Sequence, residues 1–220
     1  MSDAAARMDR MYRRQRHIYD ATRKFYLLGR DATIAALDPP DGAGVLEIGC
    51  GTGRNLVSIA RRHPRAQVFG LDVSREMLDS ARGAISRAGL DSRVRVALAD
   101  ATRFESASLF GRPNFERVLV SYALSMIPPW REALAQAIDA VAPGGALHIV
   151  DFGDQAGLPA AFRVALVRWL AAFDVTPRTQ LRGELAAIAA PRGLRWTARD
   201  HLRGYAIRAV VEKPQAGAEM

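Results

Sequence analysis

The sequence predicts an α/β domain built on a mostly parallel sheet, and three observations carry that prediction. Short apolar runs alternate with segments of helical spacing, glycines crowd the first strand-to-helix junction, and acidic residues close the next two strands. Strands of a parallel sheet are covered on both faces, so they read as unbroken apolar runs. The 220 residues suit a single domain with a sizeable core.

The elements follow in order. "GVLEIGC" (44–50) is a buried strand running into glycines, and "RNLVSIARRH" (54–63) has helical spacing. "AQVFGLD" (66–72) is the second strand. "SREMLDSARGAISRAGL" (74–90) opens on a serine N-cap and closes at Gly89, the marks of a helix. Strand "RVRVALAD" (93–100) leads through a polar connection to strand "ERVLVSYAL" (116–124). "PWREALAQAIDAVAPGG" (129–145) reads as a helix stopped by Pro143 and a glycine pair, with a fifth strand, "ALHIVDFG", over 146–153. Ligands of such sheets sit outside the carboxyl ends of the strands. The acidic and glycine motifs fall there.

Composition bounds the rest. No apolar run approaches the ~20 residues of a membrane span. The start, "MSDAAARMDRMYRRQR", lacks a signal peptide's apolar stretch, so a cytoplasmic protein is expected. The single cysteine, Cys50, excludes an internal disulfide and a cysteine-rich zinc site, and the four histidines have no metal-ligand spacing. A net charge of +8 favours anionic partners, although arginine richness is also a codon habit.

"LEIGCGTGRN" sets Gly49, Gly51 and Gly53 between a strand and a helix, preceded by Glu47. Glycine allows the tight turn and the close approach of a ligand to the backbone. Asp72 ends the next strand, where a carboxylate accepts both hydroxyls of a ribose. Asp100 ends the third, followed by Ala101. The spacing is G-x-G-x-G rather than the G-x-G-x-x-G of a nicotinamide site.

This constellation resembles the class I S-adenosylmethionine-dependent methyltransferases, from about Val45 to Gly153 and including "APGG". The resemblance implies a Rossmann-like, seven-stranded, mostly parallel sheet whose last strand is antiparallel. "LRWTARDHLRGYAIRAVVEK" (194–213) fits its final hairpin. It implies S-adenosylmethionine as cofactor, bound by Glu47, Gly49, Cys50, Gly51 and Gly53. Gly49 and Gly51 would line the methionyl part, and Cys50 reads as a small apolar spacer. Asp72 would hold the ribose, Asp100 and Ala101 the adenine, with Val73 and Met77 packed on it and Ser121 beside the sulfonium.

A sulfonium methyl is already electrophilic, so holding a neutral nucleophile in line supplies much of the acceleration. Oxygen acceptors usually want a base such as histidine, and "SYALSMIPPW" offers Ser121, Tyr122, Ser125 and Met126 instead. "IPPW" has Ile127 where a base-methylating enzyme needs a polar acceptor, so nucleic acid is not the expected partner. Residues 154–178 insert an apolar helix after strand five. Its Phe162, Trp169 and Phe173 interleave with Arg163 and Arg168, which suits either a pocket cover or a helix in a lipid interface. Asp151, at the end of that strand, could attract a cationic amine.

Tyr12, Tyr19 and Tyr26 recur every seven residues and form one helical stripe. Such a stripe packs, or it cages an ammonium through cation–π attraction. "RHIYDATRKFYLLGRD" (16–31) resembles the N-terminal signature of bacterial diacylglyceryl-homoserine N-methyltransferases of betaine-lipid synthesis. That resemblance implies up to three methyl transfers to a lipid headgroup amine. Tyr19, Tyr26 and Tyr122 would be catalytic, and Arg23, Lys24, Ser125, Met126, Asp151, Phe162 and Trp169 would meet substrate. Arg30 would hold a carboxylate of cofactor or lipid. The implied setting is the inner face of an anionic membrane, beside the enzyme that makes diacylglyceryl-homoserine. The alternatives are a methyltransferase of a soluble or quinone-like small molecule, or an RNA-associated cofactor-binding module. On this reading residues 1–35 are a helical lid, 44–153 the cofactor core, 154–178 the substrate insert, and 179–213 the last helix and hairpin.

Overall fold

The structure, a computed structural model, describes residues 27–215. The expectations placed on Tyr12, Tyr19, Arg23, Lys24 and Tyr26 lie outside the described residues. Within them the sheet has seven strands: β1 (Gly44–Ile48), β2 (Gln67–Asp72), β3 (Val94–Leu98), β4 (Phe115–Ser121), β5 (Val141–Phe152), β6 (Arg195–His201) and β7 (Ala206–Glu212). Their spatial order is β3-β2-β1-β4-β5-β7-β6. The first five are parallel, and β7 runs antiparallel to both β5 and β6. The strand order reverses between β1 and β4, which opens a crevice at their carboxyl ends.

Alternate residues of the strands feed two cores. Val45, Val68 and Leu119 pack with α1 (Arg30–Ala35), α2 (Arg54–Arg62) and α3 (Arg75–Arg87) through Ile34, Leu56, Ile59, Leu78 and Ile85. Leu46, Ile48, Val118, Val120, Leu147 and Ile149 face the other way. They meet α4 (Ser106–Phe110), α5 (Trp130–Asp139) and α7 (Leu181–Ala189) through Phe110, Trp130, Leu134 and Leu185. Burial of both faces explains why the strands read as continuous apolar runs. A smaller cluster at the β5 edge joins Tyr122, Phe152 and Tyr205 to Leu166 and Leu170 of α6 (Ala160–Ala171).

Three boundaries differ from the sequence reading. The helix expected over 129–145 stops at Asp139, and Val141–Gly145 begins β5, with Val141 opposite Phe115. Pro and Gly are tolerated at a strand's first residues, where a bulge shifts the register. At Gly145 a Cβ would lie 2.8 Å from the Glu116 carbonyl oxygen, so the glycine lets β5 approach β4. The polar connection 101–115 contains α4, whose Phe110 packs edge-on against Phe69 and Phe115 at centroid distances of 5.2 and 6.0 Å. β4 ends at Ser121, and a 3-10 turn over Leu124–Met126 follows.

α1 is seated by arginines from two strands. Arg117 of β4 donates to the Leu37 and Asp38 carbonyls, and Arg208 of β7 donates to Thr33 Oγ1 at 2.9 Å and the Ala32 carbonyl at 3.0 Å. These arginines and His148 share one face of the sheet, with His148 between them on β5.

Candidate functional site

The glycine loop is held closed by its neighbours. Gly49 and Cys50 donate backbone N–H groups to the Leu71 carbonyl at 2.9 and 3.0 Å, which turns the chain back over the end of β2. Gly49, Gly51 and Gly53 all adopt positive φ (71°, 53° and 75°), the left-handed region that glycine enters without penalty. Two of them are also sites of close approach. A Cβ on Gly49 would lie 2.8 Å from the Ala123 Cβ, and one on Gly53 would lie 2.9 Å from the Ala81 Cβ. The loop therefore touches both the exit of β4 and the flank of α3.

Asp72 fastens this loop to the next helix. Its Oδ2 accepts from Gly51 N at 2.8 Å and its Oδ1 from Ser74 N at 2.9 Å. Ser74 in turn caps α3 by accepting from Met77 N at 3.3 Å. Glu47, buried on the α2 side of β1, accepts from Asn55 Nδ2 at 2.7 Å. At the end of β3, Asp100 folds its own turn, with Oδ1 accepting from Thr102 N at 2.9 Å and Thr102 Oγ1 at 2.7 Å. Ala101 is buried beside it, Met77 is buried on α3, and Val73 is half-buried.

A cleft of about 1300 Å³ begins at this loop and extends between α2 and α3. Leu27, Arg30, Glu47, Gly49, Cys50 and Ser121 line its inner end. Ser121 Oγ is buried with no hydrogen-bond partner among the described residues. An unpartnered buried hydroxyl beside a glycine cradle is a place for a polar ligand atom. Arg30 is 7% exposed, and its guanidinium is bound to the exposed Asp31 carboxylate at 2.8 Å. The Cys50 thiol lies beneath Gly70, and burial, aided by Asp72 and Glu47, pushes its pKa well up. It remains a protonated, space-filling thiol.

S-adenosylmethionine fits the residues present. The glycine cradle and the buried Ser121 hydroxyl line the cleft, where they would meet the methionyl and sulfonium parts, while Asp72 would hold the ribose and Asp100 and Ala101 the adenine. When bound, the cofactor would supply an electrophilic methyl group.

Six residues expected at the substrate are placed in other settings by the geometry. Tyr122, expected to be catalytic, is 1% exposed, and its hydroxyl donates to the Leu28 carbonyl in a short hydrogen bond. Burial and the nearby Asp151 carboxylate drive its pKa above the usual phenol range, which opposes a role as proton acceptor. It serves as an anchor for the chain entering α1, with its ring edge-on to Phe152 at 4.7 Å. Removing the hydroxyl in Tyr122→Phe strands a carbonyl and should lower the unfolding free energy by about 1–3 kcal/mol, as read by urea denaturation.

Asp151, expected at the substrate, is fully buried, and its oxygens accept from Ser125 N at 3.0 Å and Phe152 N at 2.8 Å. Burial pushes its pKa up against those hydrogen bonds, and its role is to hold the 124–126 turn. Ser125 is fully buried in that turn, and Met126 packs beside the Tyr122 cluster. Phe162 and Trp169 stand on the outer surface of α6, 51% and 39% exposed, away from the cleft lining.

Sequence reasoning missed two positioning residues. Asn55, which orients Glu47, follows the loop in "GTGRN" and was legible as the first polar residue of α2. Arg178 donates to the Leu124 and Ile127 carbonyls at 2.9 and 2.8 Å, and nothing in "VTPR" signals that reach.

Fold and loop define the class. Residues 45–145 match the methyltransferase domain family model. The chain carries a class I S-adenosylmethionine-dependent methyltransferase domain. Its curated relatives include the ubiquinone/menaquinone biosynthesis C-methyltransferase UbiE of Desulfotalea psychrophila, 30% identical over 138 residues, which are 60% of this chain and 53% of that one. The demethylmenaquinone methyltransferase of Thermobifida fusca is 33% identical over 158 residues, 68% of this chain and 61% of that one. Among solved structures, the S-adenosylmethionine-dependent methyltransferase SibL in its apo form superposes with a TM-score of 0.67 at 25% identity, covering 90% of this chain and 58% of that one. The chain spans about half the length of the curated relatives it matches. Among the described residues, no helix is long and apolar enough to cross a membrane.

Proposed function

We propose that the chain transfers a methyl group from S-adenosylmethionine to a small, largely apolar acceptor of the quinone-like kind. The observation that carries this reading is the cleft at the β1/β4 crevice, where the glycine cradle and Ser121 lie at the same sheet edge as the apolar helix α6. Two relatives named for quinone methylation support it. The chain's part is to position the acceptor in line with the methyl and to exclude water, a contribution of proximity rather than of a strong base.

A second reading is methylation of the diacylglyceryl-homoserine amine. It is favoured by one structural fact. Leu27 and Arg30, both within the 16–31 signature, line the cleft, so that stretch ends at the site. Arg30 is then the group that receives a carboxylate, from cofactor or headgroup.

One experiment separates the readings. Purified protein is incubated with methyl-labelled S-adenosylmethionine and either a demethylated quinol or diacylglyceryl-homoserine, and the products are weighed by mass spectrometry. A single methyl gained by the quinol supports the first reading. One to three methyls gained by the lipid support the second. Label in neither product, with cofactor binding intact, overturns both.

A further inference from the structure

α6 should look like a surface helix and does not. Of its twelve residues only Leu166 and Leu170 are buried, yet the outward positions hold Val164, Val167, Ala161 and Ala165 where charged residues would ordinarily stand. Phe162 and Trp169 lie together along one side of the buried pair, with Val167 on the other side and Val164 beyond it. The only charges on the helix are Arg163 and Arg168.

One more exposed apolar residue, Leu202, is carried by a turn from the far end of the chain. The β6–β7 turn docks on the loop that leads into α6. Gly153 N donates to the Tyr205 carbonyl at 3.0 Å, Gln155 N to Gly204 at 2.8 Å, and Gly157 N to Arg203 at 3.1 Å. Leu202, 51% exposed, and Arg203 form the tip of that turn. Both sit at positive φ (51° and 59°), where asparagine and glycine are the favoured residues. Folding alone therefore gives no reason for leucine there. Five of the six large apolar side chains exposed among the described residues are Phe162, Val164, Val167, Trp169 and Leu202, so the exposure is gathered rather than scattered.

We infer that α6 and the β6–β7 turn form one membrane-docking surface, whose partner is an anionic lipid bilayer. Phe162, Trp169 and Leu202 enter the boundary between headgroups and acyl chains, as the apolar face of an interfacial helix does. Arg163, Arg168 and Arg203 lie along lipid phosphates, with their alkyl stems on the apolar surface. Asp154 and Asp174 are the acidic residues at the ends of the helix segment, so the local balance is modestly positive, and the whole chain adds its net charge of +8. Aromatic and arginine side chains with almost no acid on the helix face suit lipid better than a second copy of the same basic surface. The surface also lies at the carboxyl edge of β5, beside the Tyr122 and Phe152 cluster. A bilayer there would face the side of the sheet where the cofactor binds. This inference goes beyond the proposed activity and stands whichever acceptor is methylated.

Vesicle flotation tests it with the full chain. Vesicles of phosphatidylcholine are compared with vesicles of the same lipid mixed with phosphatidylglycerol. The expected result is about tenfold stronger binding to the anionic vesicles, falling as salt rises. Trp169 fluorescence should shift to the blue on binding, and the shift should vanish in Trp169→Phe while flotation persists. The triple variant Phe162→Ser, Trp169→Ser, Leu202→Ser should lose flotation at least tenfold, with S-adenosylmethionine affinity checking that the core is folded. Leu202→Ser alone, outside the helix, should weaken binding severalfold and guards against a local helix defect. No flotation of the parent chain overturns the inference, as does flotation unchanged in the triple variant. A concentration-dependent dimer abolished by Leu202→Ser, without vesicle binding, also overturns it by assigning the face to a second copy.

Discussion

Asp72→Ala is expected to weaken S-adenosylmethionine binding at least a hundredfold. The Asp72 carboxylate accepts from Gly51 N and Ser74 N at 2.8 and 2.9 Å, so it sets the glycine loop and the start of α3, and in the expected binding mode it would also hold the ribose. A hydrogen bond to a charged group contributes about 1.5–3 kcal/mol. Loss of two ribose hydroxyl contacts therefore removes about 3 kcal/mol or more, and each 1.4 kcal/mol is about tenfold in affinity. Release of the two amides adds to this by letting the loop relax. Asp72→Asn keeps one carbonyl acceptor but turns an amide NH2 toward a donor, so its loss should fall between. Isothermal titration with the cofactor checks the series. Asp72→Ala binding within tenfold of the parent would remove Asp72 from the ribose site.

The parallel half of the sheet was legible because burial on both faces leaves a signal in the strands themselves. "GVLEI", "QVFGLD" and "RVLVS" are apolar at nearly every position, and the structure makes them β1, β2 and β4 with both faces covered. The hairpin 194–213 was expected from the resemblance to the methyltransferase fold, and in the structure its β6 is an edge strand with Arg195 and Arg199 exposed. The start of β5 was not legible. "VAPGG" carries every helix-stop signal, and only its tertiary neighbours, Phe115 and Glu116 of β4, make it the beginning of a strand. α4 escaped for want of length, with one buried phenylalanine in five residues.

The glycine loop was readable because its chemistry is backbone chemistry. Glycines at positive φ and a carboxylate that receives amide groups leave few alternatives, and both sit at fixed offsets from a strand end. The region after β4 depends on side chains that reach far across the sequence. Tyr122 to Leu28 spans 94 residues and Arg178 to Leu124 spans 54, and neither contact has a local signature. Asp151 shows the same limit. A strand-end carboxylate reads as a substrate group, but Ser125 and Phe152 take both its oxygens inside the protein.

The second large effect concerns acid stability and centres on His148. It is 5% exposed on β5, beneath α1 and between Arg117 and Arg208, which hold that helix. Burial, with the two guanidinium charges, lowers its pKa from the ordinary 6.5 to about 4. In the unfolded chain the imidazole takes up its proton near 6.5, so between these values the unfolded state binds more protons. Stability is therefore full above pH 6.5 and declines as pH falls toward 4, by on the order of 3 kcal/mol at about 1.36 kcal/mol per unit. Urea denaturation at a series of pH values should show this slope, and His148→Leu, which cannot take the proton, should flatten it across that window. Equal slopes in both proteins would assign the acid sensitivity to carboxylates instead. The consequence reaches the site through α1. A proton on His148 places a third positive charge beneath the helix, and the first turn of that helix carries Arg30 into the cleft. Amide exchange of Thr33 and Ile34 should accelerate ahead of the β1 amides as pH drops through the same range.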